Sequence, residues 1–247
     1  MGEGGLMLIQ AKPIKQWRLS DGNKIGVERI EIKDFMTSFS DFPDPILQIG
    51  SKSSILDKDG GKWRNLYQNR NFIGIDLENG ENVDHVFDIS DNISKLRKKV
   101  GIKQYSTIIC PHVLEHVKNP FIVADNIKKL LLPSGKVIIT VPWVQGFHEF
   151  PDDYWRISFS GLKVLFQGFK IIDEYYSDAK EEFAYRLTYN GVVEHSVRTC
   201  RIERNLFQII LKEIPDQKMF DEHTDTKIKL SNMYVPGMSV NMIMQKV

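Results

Sequence analysis

The amino-acid sequence predicts a Rossmann-like α/β fold, in which a doubly wound, mostly parallel sheet of about seven strands carries an insertion before its last strand. Three observations support this prediction. Short runs rich in Ile, Val and Phe recur along the chain, and each has the length of a buried parallel strand. Helical patterns separate several of the runs. Each run ends in Gly, Asp or Pro, which is typical of a strand that enters a loop.

The individual elements follow from these patterns in chain order. The segment DFPDP at 41–45 contains two prolines, which end any preceding helix before the first strand. The predicted parallel strands are 46–49, 72–75, 83–87, 106–110 and 136–141. The predicted helices are 91–100, 117–132 and 161–166, the second of them closed by PSG at 133–135. Residues 169–175 and 239–247 are predicted strands, and 206–214 fits a helix or a strand.

These elements divide the chain into four parts. Residues 1–44, with a weak helical pattern over 27–39, are predicted as an N-terminal helical or cap segment. Residues 45–177 form the Rossmann-like core, and 237–247 supply its terminal strand. The stretch 178–236 is long for a loop inside a domain, which indicates an inserted cap or interface region.

Composition restricts the class of protein. Lys and Arg total 33 against 32 Asp and Glu, so the basic field typical of nucleic-acid enzymes is missing and a nucleic-acid partner is disfavoured. The two cysteines form no CxxC pair, which disfavours a disulfide framework or a thiolate zinc site. The sequence shows neither a secretory leader nor an apolar run of membrane-spanning length. We therefore expect a reduced, cytoplasmic protein with no membrane partner.

Candidate cofactor residues follow the first three strands, because ligands of open α/β sheets bind beyond the carboxyl ends of the strands. Gly50 can make a tight turn that lets the backbone approach a cofactor, or an ordinary turn. Asp76 can accept hydrogen bonds from both ribose hydroxyls of an adenosine group, or act as a helix N-cap or solvated loop acid. Asp88 can accept a bond from an adenine amino group, or cap the next helix in competition with Ser90.

Two further clusters are candidates for chemistry. His112, Glu115 and His116 have helical spacing and can bind a metal or supply a base, but we favour capping and packing roles and predict no metal site. The loop FHEFPDDYWR at 147–156 has the composition of a substrate-recognition loop. Within it Arg156 can hold a carboxylate or phosphate, or pair with an aspartate while its aromatic neighbours anchor the core.

Taken together, the segments ILQIGSKSS, NFIGIDLENGENVDHVFDIS, YSTIICPHVLEHVKNPF, LLPSGKVIITVPW and FHEFPDDYWRISFSGL resemble the class I S-adenosylmethionine (SAM)-dependent methyltransferase superfamily. HVLEHV, followed by a helix, LPSG and a strand ending in VP, is the most specific part. The HEFPDDYWR loop with SGL behind it is similar to a subgroup that often acts on sugars or other small metabolites. The resemblance implies SAM as the cofactor.

The resemblance also implies residue roles. It places Gly50 beside the methionine part of SAM, Asp76 at the ribose, and Cys110 with His112 near the sulfonium. The implied cofactor-binding set is Gly50, Ser51, Lys52, Asp76, Leu77, Asp88, Ile89, Cys110 and His112. The implied acceptor-side set is His116, His148, Asp152, Tyr154, Trp155 and Arg156.

We therefore predict a SAM-dependent methyltransferase (EC 2.1.1 type) that O-methylates the hydroxyl, carboxylate or phosphoryl oxygen of a sugar or other small-molecule acceptor. An alcohol needs a base, for which we hypothesise His148, with His116 as second choice. An anionic acceptor would depend on Arg156 instead. The Asp/Asn-Pro-Pro-Tyr/Phe motif is absent after the fourth strand, which disfavours N-methylation of adenine or cytosine bases.

Two other functions stay open at this point. Gln48, Lys52 and Ser54 stand where the superfamily usually has an acid and two glycines, which favours a catalytically silent SAM-binding or partner-binding module. Gly50 and Asp76 alone also permit an NAD-dependent oxidoreductase. The histidine-containing loop and the HVLEHV segment favour methyl transfer over both. A homodimer is compatible with the sequence.

Overall fold

The computed structural model describes residues 13–53, 59–146, 148, 152–178, 182–193 and 238–247. The strands are β1 (Pro13–Arg18), β2 (Lys24–Glu31), β3 (Ile46–Ile49), β4 (Phe72–Asp76), β5 (His85–Val86), β6 (Tyr105–Pro111), β7 (Leu131–Val144), β8 (Phe169–Asp178), β9 (Phe183–Tyr189), β10 (Val192–Val193) and β11 (Met238–Lys246). The helices are α1 (Ile32–Thr37), α2 (Asp59–Leu66), α3 (Ile93–Val100), α4 (Pro120–Leu130) and α5 (Phe159–Leu165), with a 3-10 turn at Leu114–His116.

All the described strands belong to one sheet. Its order is β1-β2-β9-β8-β11-β7-β6-β3-β4-β5, and β10 pairs with β9. Neighbours from β7 to β5 are parallel, whereas β11 is antiparallel to both β7 and β8. The predicted class, a Rossmann-like fold with a mostly parallel central sheet, is confirmed.

Two hydrophobic clusters cover the two faces of this sheet. Ile108 of β6 packs in one cluster and its neighbour Ile109 in the other, because successive strand residues point to opposite faces. Val123 of α4 joins the cluster of Ile108, and Trp63 of α2 joins the cluster of Ile109. Helices therefore cover both faces, which is the doubly wound arrangement. Among the described residues, no helix is long and apolar enough to cross a bilayer.

The sheet is larger than predicted, with eleven strands in the described residues. A weak pattern over 27–39 predicted a helix, and this prediction is wrong for residues 27–31. Residues 24–31 form β2, and the helix covers only Ile32–Thr37. Val27 and Ile30 pack in opposite clusters, as strand residues separated by an odd number do. Pairing with the distant β9 satisfies the backbone of β2, and no local pattern records that partner.

The region predicted as an insertion begins as part of the sheet. Residues 183–189 form β9, which pairs with β2 and, at its start, with β8. Residues 206–214 and the rest of 194–237 lie outside the described residues, as do residues 1–12. The predicted terminal strand is confirmed as β11, which lies between β7 and β8.

The best predicted helix is shorter than its pattern. Asn119 caps α4 by accepting a hydrogen bond from the N–H of Phe121 at 3.1 Å, and Pro120 occupies the first turn. Leu131 already pairs with β6, so the predicted PSG turn lies inside β7 as an irregularity in the register. Ser134 has a φ of 59° there. Pairing with β6 thus begins immediately after α4.

Candidate active site

The carboxyl ends of β3, β4 and β6 meet at one edge of the sheet. Ile49 lies opposite Ile75, and Gln48 lies opposite Ile109, so the residues that follow these strands are close neighbours. This register brings the predicted cofactor residues after β3 and β4 to the same edge as the HVLEHV segment after β6. An open α/β sheet binds its ligands at such an edge.

Gly50 makes a crowded turn directly after β3. Its φ is +72°, and a Cβ atom there would lie 2.5 Å from Cγ2 of Val113. The N–H groups of Gly50 and Ser51 both donate to the carbonyl of Ile75, at 2.9 and 3.1 Å. Glycine is therefore required here by backbone conformation and by space.

Asp76 connects the ends of β3 and β4. One carboxylate oxygen accepts a hydrogen bond from the N–H of Lys52 at 3.0 Å, and the other accepts one from the N–H of Glu78 at 3.3 Å. The Lys52 side chain also pairs with Glu78 at 2.5 Å. No described helix begins at Asp76, so the alternative of a helix N-cap is excluded. Its carboxylate faces the loop that follows β3, where a ribose would be held.

The residues after β5 have divided roles. Asp88 is exposed and accepts a hydrogen bond from the N–H of Ser90 at 2.7 Å. Neither of these residues caps α3, because Asn92 does so by accepting from the N–H of Ser94 at 2.9 Å. Ile89 is buried, with its carbonyl accepting from Nδ2 of Asn126 at 2.8 Å. The predicted adenine site thus pairs an exposed carboxylate with a buried side chain.

Leu77, the remaining predicted cofactor residue at this edge, is 52% exposed beside Asp76. An exposed leucine next to the ribose-type carboxylate offers an apolar surface for a flat ring. The side chain of Ser51, in contrast, is buried, and its hydroxyl has no hydrogen-bond partner. Ser51 therefore has an unsatisfied polar atom at the turn where a cofactor would lie.

Cys110 does not line this edge. Its side chain is completely buried in the hydrophobic cluster that includes Val123 and Ile127 of α4, and burial raises the pKa of the thiol. The prediction that Cys110 contacts the cofactor is wrong for its side chain, because the alternation of β6 points that side chain into the core. His112, two residues later, is half-buried with a φ of 49°. Its N–H donates to the carbonyl of Thr140 at 2.9 Å.

Glu115 is the buried centre of the HVLEHV segment. It is completely buried, and neither of its carboxylate oxygens accepts a hydrogen bond. Oε1 lies 3.3 Å from Nδ1 of His112 and 3.8 Å from Nε2 of His116. Its position in the 3-10 turn does not complement a helix dipole, so the structural role first considered for it is replaced by contacts with imidazoles.

His116 and His148 meet although they are distant in sequence. Their ring centroids lie 5.0 Å apart with an edge-to-face geometry. Nδ1 of His116 lies 2.6 Å from the carbonyl oxygen of Asp152, and Nδ1 of His148 lies 3.3 Å from a carboxylate oxygen of Asp153. The two histidines predicted as base candidates therefore share one site, with nitrogens fixed by neighbouring acceptors.

Arg156 is held inside the protein. Its guanidinium makes bonds of 2.5 and 2.7 Å to the two carboxylate oxygens of Asp153. It also donates to the carbonyls of Gln145, Gly146 and Trp155. These five contacts use the donors that an anionic acceptor would need, so the predicted substrate-binding role of Arg156 is replaced by the aspartate-pairing alternative. The same guanidinium lowers the pKa of Asp153 far below its usual range.

Tyr154 and Trp155 are exposed, so the alternative that made them core anchors is wrong. Their backbone N–H groups donate to the carbonyl of Glu115, which docks the loop onto the turn after β6. The Tyr154 hydroxyl donates to Asp152 at 2.5 Å, and this bond raises the pKa of Tyr154. The Trp155 indole donates to the carbonyl of Val117 at 2.8 Å. Both aromatic side chains are therefore exposed, with their polar atoms held by hydrogen bonds.

Sequence reasoning gave Glu115 a structural role and did not assign a role to Asp153. The HxxEH spacing singled out Glu115, but the partner that completes its cluster, His148, comes from the loop after β7. Asp153 lies in the predicted recognition loop, and only the fold shows that its carboxylate lies between Arg156 and His148. Phe147 and residues 149–151 of this loop lie outside the described residues.

The fold and the polar residues at its strand ends define a class of protein, a Rossmann-like α/β protein with candidate ligand-binding residues at the carboxyl edge of its sheet. A profile of the methyltransferase domain family matches residues 40–179, which is more than half of the chain. The chain therefore belongs to the methyltransferase domain family, within the class I SAM-dependent superfamily, and SAM is its cofactor.

Solved structures similar to the chain include a SAM-dependent methyltransferase from Archaeoglobus fulgidus, at 14% identity and a TM-score of 0.49 over 87% of this chain and 91% of that one. Phosphoethanolamine N-methyltransferase 2 from Haemonchus contortus, solved with SAM, is 14% identical, with a TM-score of 0.42 over 87% of this chain and 52% of that one. No curated protein sequence matches the chain. Structural similarity at these levels carries no argument about the acceptor.

Proposed function

We propose that this methyltransferase transfers the methyl group of SAM to the hydroxyl oxygen of a small-molecule acceptor such as a sugar. The observation that carries the proposal is the pairing of His148 with the buried carboxylate of Asp153, beside His116. An alcohol needs a base, and an oriented imidazole suits that role at neutral pH. Because Arg156 is committed to Asp153, a hydroxyl is favoured over the carboxylate and phosphoryl oxygens also considered.

The residues at the strand ends fit the cofactor. Gly50 lets the backbone come close to the ligand, and Asp76 presents a carboxylate to the ribose hydroxyls. The remaining proposed contacts come from Ser51, Lys52, Leu77, Asp88, Ile89 and His112. When bound, SAM supplies a methyl group that its sulfonium already activates, so the main task of the protein is alignment.

The acceptor side divides into binding, catalytic and positioning residues. We assign Asp152, Tyr154 and Trp155 to acceptor binding, since all three are exposed and the Asp152 carbonyl oxygen lies 2.6 Å from Nδ1 of His116. His148 takes the hydroxyl proton. Asp153 is a positioning residue, because its carboxylate accepts from the backbone N–H of His148 at 2.9 Å and lies 3.3 Å from Nδ1 of the ring. Nδ1 donates to the Gly146 carbonyl, which leaves Nε2 as the unprotonated nitrogen. Arg156 keeps Asp153 ionised.

Calorimetric titration with SAM tests the cofactor half of the proposal. Asp76→Ala removes the carboxylate proposed for the ribose, so we expect SAM affinity to fall at least about tenfold, the effect of one hydrogen bond to a charged group. Asp125→Ala, which removes an exposed carboxylate on α4, is the matched control and should leave affinity unchanged. NAD is titrated in parallel. Tight NAD binding without SAM binding would contradict the proposal in favour of an oxidoreductase.

Turnover of His148→Ala tests the catalytic half. Wild-type protein with labelled SAM is first screened against sugars and other alcohols for formation of S-adenosylhomocysteine. On any acceptor found, His148→Ala should lower kcat about 10²–10⁴-fold with little change in SAM affinity, because a base acts in the transition state. His85→Ala on β5 is the control. A large loss of kcat in His116→Ala but not in His148→Ala would reassign the base to His116. SAM binding with no turnover of any alcohol would contradict the O-methylation proposal.

A further inference from the structure

We infer that Glu115, His116 and His148 bind a divalent transition-metal ion. One ring nitrogen of each histidine and one carboxylate oxygen of Glu115 all lie within 4.8 Å of one another. Such spacing lets three donor atoms converge on a single ion with only small side-chain rotations. The donors come from two places in the fold, the 3-10 turn after β6 and the loop after β7, which the backbone bonds to the Glu115 carbonyl hold together.

The state of Glu115 is the independent observation that points to an ion. Its carboxylate is completely buried, yet neither oxygen accepts a hydrogen bond. Buried carboxylates are normally paired, hydrogen-bonded or bound to metal, because burying an uncompensated charge is strongly unfavourable. The imidazoles of His112 and His116 face it, and these are themselves metal-binding groups. The Arg156 guanidinium also interacts with Glu115 electrostatically, but its hydrogen bonds go to Asp153 and to backbone carbonyls. An ion between Glu115 and the histidines would compensate the buried charge.

The hydrogen bonds of both histidines match those of metal ligands. Nδ1 of His116 lies 2.6 Å from the Asp152 carbonyl oxygen, while its Nε2 faces Glu115 at 3.8 Å. Nδ1 of His148 lies 3.3 Å from Asp153 and 3.3 Å from the Gly146 carbonyl oxygen. With each Nδ1–H donated to an oxygen, each Nε2 keeps its lone pair. Histidine ligands usually make this second hydrogen bond, which fixes the ring and raises its basicity.

The donor set indicates the kind of ion. Two imidazoles and one carboxylate suit zinc and its first-row neighbours better than the all-oxygen sites of magnesium or calcium. Three protein ligands also leave a coordination position open. This role of the ion rests on the O-methylation proposed above but replaces its base: the acceptor hydroxyl would occupy the open position, and the ion would lower its pKa so that the proton leaves to solvent instead of to His148. His148 then acts as a ligand, and it acts as a base only in the ion-free protein.

Titration of the isolated protein tests this inference without SAM or acceptor. Tag-free, chelator-treated protein is titrated with zinc chloride by calorimetry, and with cobalt(II), whose visible absorption reports imidazole and carboxylate coordination. We expect a single ion per chain. Glu115→Gln and His148→Gln should each weaken binding at least about tenfold. His85→Gln, which removes an imidazole on β5 away from the cluster, should bind as wild type does.

Thermal unfolding and SAM binding of each variant establish that it is folded, and the half-exposed His148 provides the variant least sensitive to packing. Equal zinc affinity in wild type, Glu115→Gln and His148→Gln would overturn the inference. Loss of zinc binding together with intact SAM binding would support it, whatever the acceptor is. Chelator-treated wild type that turns over at the full rate would contradict the role of the ion in deprotonation, and turnover restored by zinc would support that role.

Discussion

The role of Arg156 in the structure differs from the role that the sequence predicted. A lone arginine in a polar loop is a good candidate for holding an anionic substrate. Here its guanidinium is paired in a bidentate manner with Asp153, whose side chain is only 1% exposed. A carboxylate oxygen of Asp153 also lies 3.3 Å from Nδ1 of His148 in the same loop. Arg156 therefore acts through Asp153 on the position of the imidazole.

Removal of Arg156 is expected to act mainly on stability. Arg156→Gln leaves the Asp153 carboxylate buried without its cation, so the free energy of unfolding should fall by about 2 kcal/mol. Denaturant unfolding measures this loss, and Lys95→Gln on α3, a cation whose partner Asp91 is also exposed, serves for comparison. A variant with unchanged stability and a raised KM would instead return Arg156 to the acceptor site.

The same pair predicts a pH dependence with a definite sign. Arg156 lowers the pKa of Asp153 from its ordinary 3.8, so folding favours the ionised carboxylate. Its contribution to stability is complete above about pH 4 and is lost as the pH falls through the lowered pKa of the folded state. The stability difference between wild type and Arg156→Gln should therefore be constant near neutral pH and shrink in acid.

At the scale of elements, the turn after β3 depends on one glycine. Gly50 combines a positive φ with a Cβ position that Val113 already occupies, and Val113 belongs to the segment after β6. The turn and the HVLEHV segment are thus fitted against each other. A side chain at position 50 would push apart the two segments that form the proposed cofactor site.

Gly50→Ala should therefore abolish or strongly weaken SAM binding and lower stability by more than the about 1–2 kcal/mol expected from a left-handed conformation alone. Gly101→Ala is the matched control. Gly101 has a φ of +79° at the end of α3, and nothing lies within 4 Å of its Cβ position. Calorimetry with SAM and thermal unfolding of both variants separate strain from crowding. Equal effects of the two substitutions would contradict the crowding argument.

At the scale of the whole molecule, antiparallel strands extend the methyltransferase sheet beyond β8. Arg186 of β9 and Asp173 of β8 form a buried ion pair within this extension, and Glu28 of β2 is half-buried nearby. Burial raises the pKa of Glu28, while Arg186 opposes that effect. One cation thus compensates acidic groups on two other strands.

Arg186→Met should destabilise the whole protein by about 3 kcal/mol, because it leaves Asp173 as a buried carboxylate without its cation. The double variant Arg186→Met with Asp173→Leu should recover much of that loss, since both charges are then removed. Denaturant unfolding of the two variants supplies the comparison. A double variant less stable than the single one would show that the ion pair itself stabilises the extension beyond charge compensation.

Periodicity predicted the fold class and most of the core from local information. Apolar runs followed by Gly50 and Asp76 predicted β3 and β4, and a broad apolar face predicted the helix α4. The strand identity of residues 24–31 could not be predicted in this way, since β2 is decided by pairing with β9 far along the chain. The same holds for the candidate site. The residue types and spacing of HVLEHV predicted His116 as a site residue, whereas its contact with His148 depends on how the loop after β7 packs against the turn after β6.

The sequence by itself determined the parallel half of the sheet, the glycine turn and the carboxylate after β4, because these depend on local patterns and on a fixed rule of strand-end binding. The tertiary structure alone decided which polar groups face one another. It placed Cys110 in the core, paired Arg156 with Asp153, and brought His148 to the buried carboxylate of Glu115. Contacts between distant segments depend on which side chains are buried and which polar groups then lie within hydrogen-bonding distance. The order of residues along the chain does not give this information.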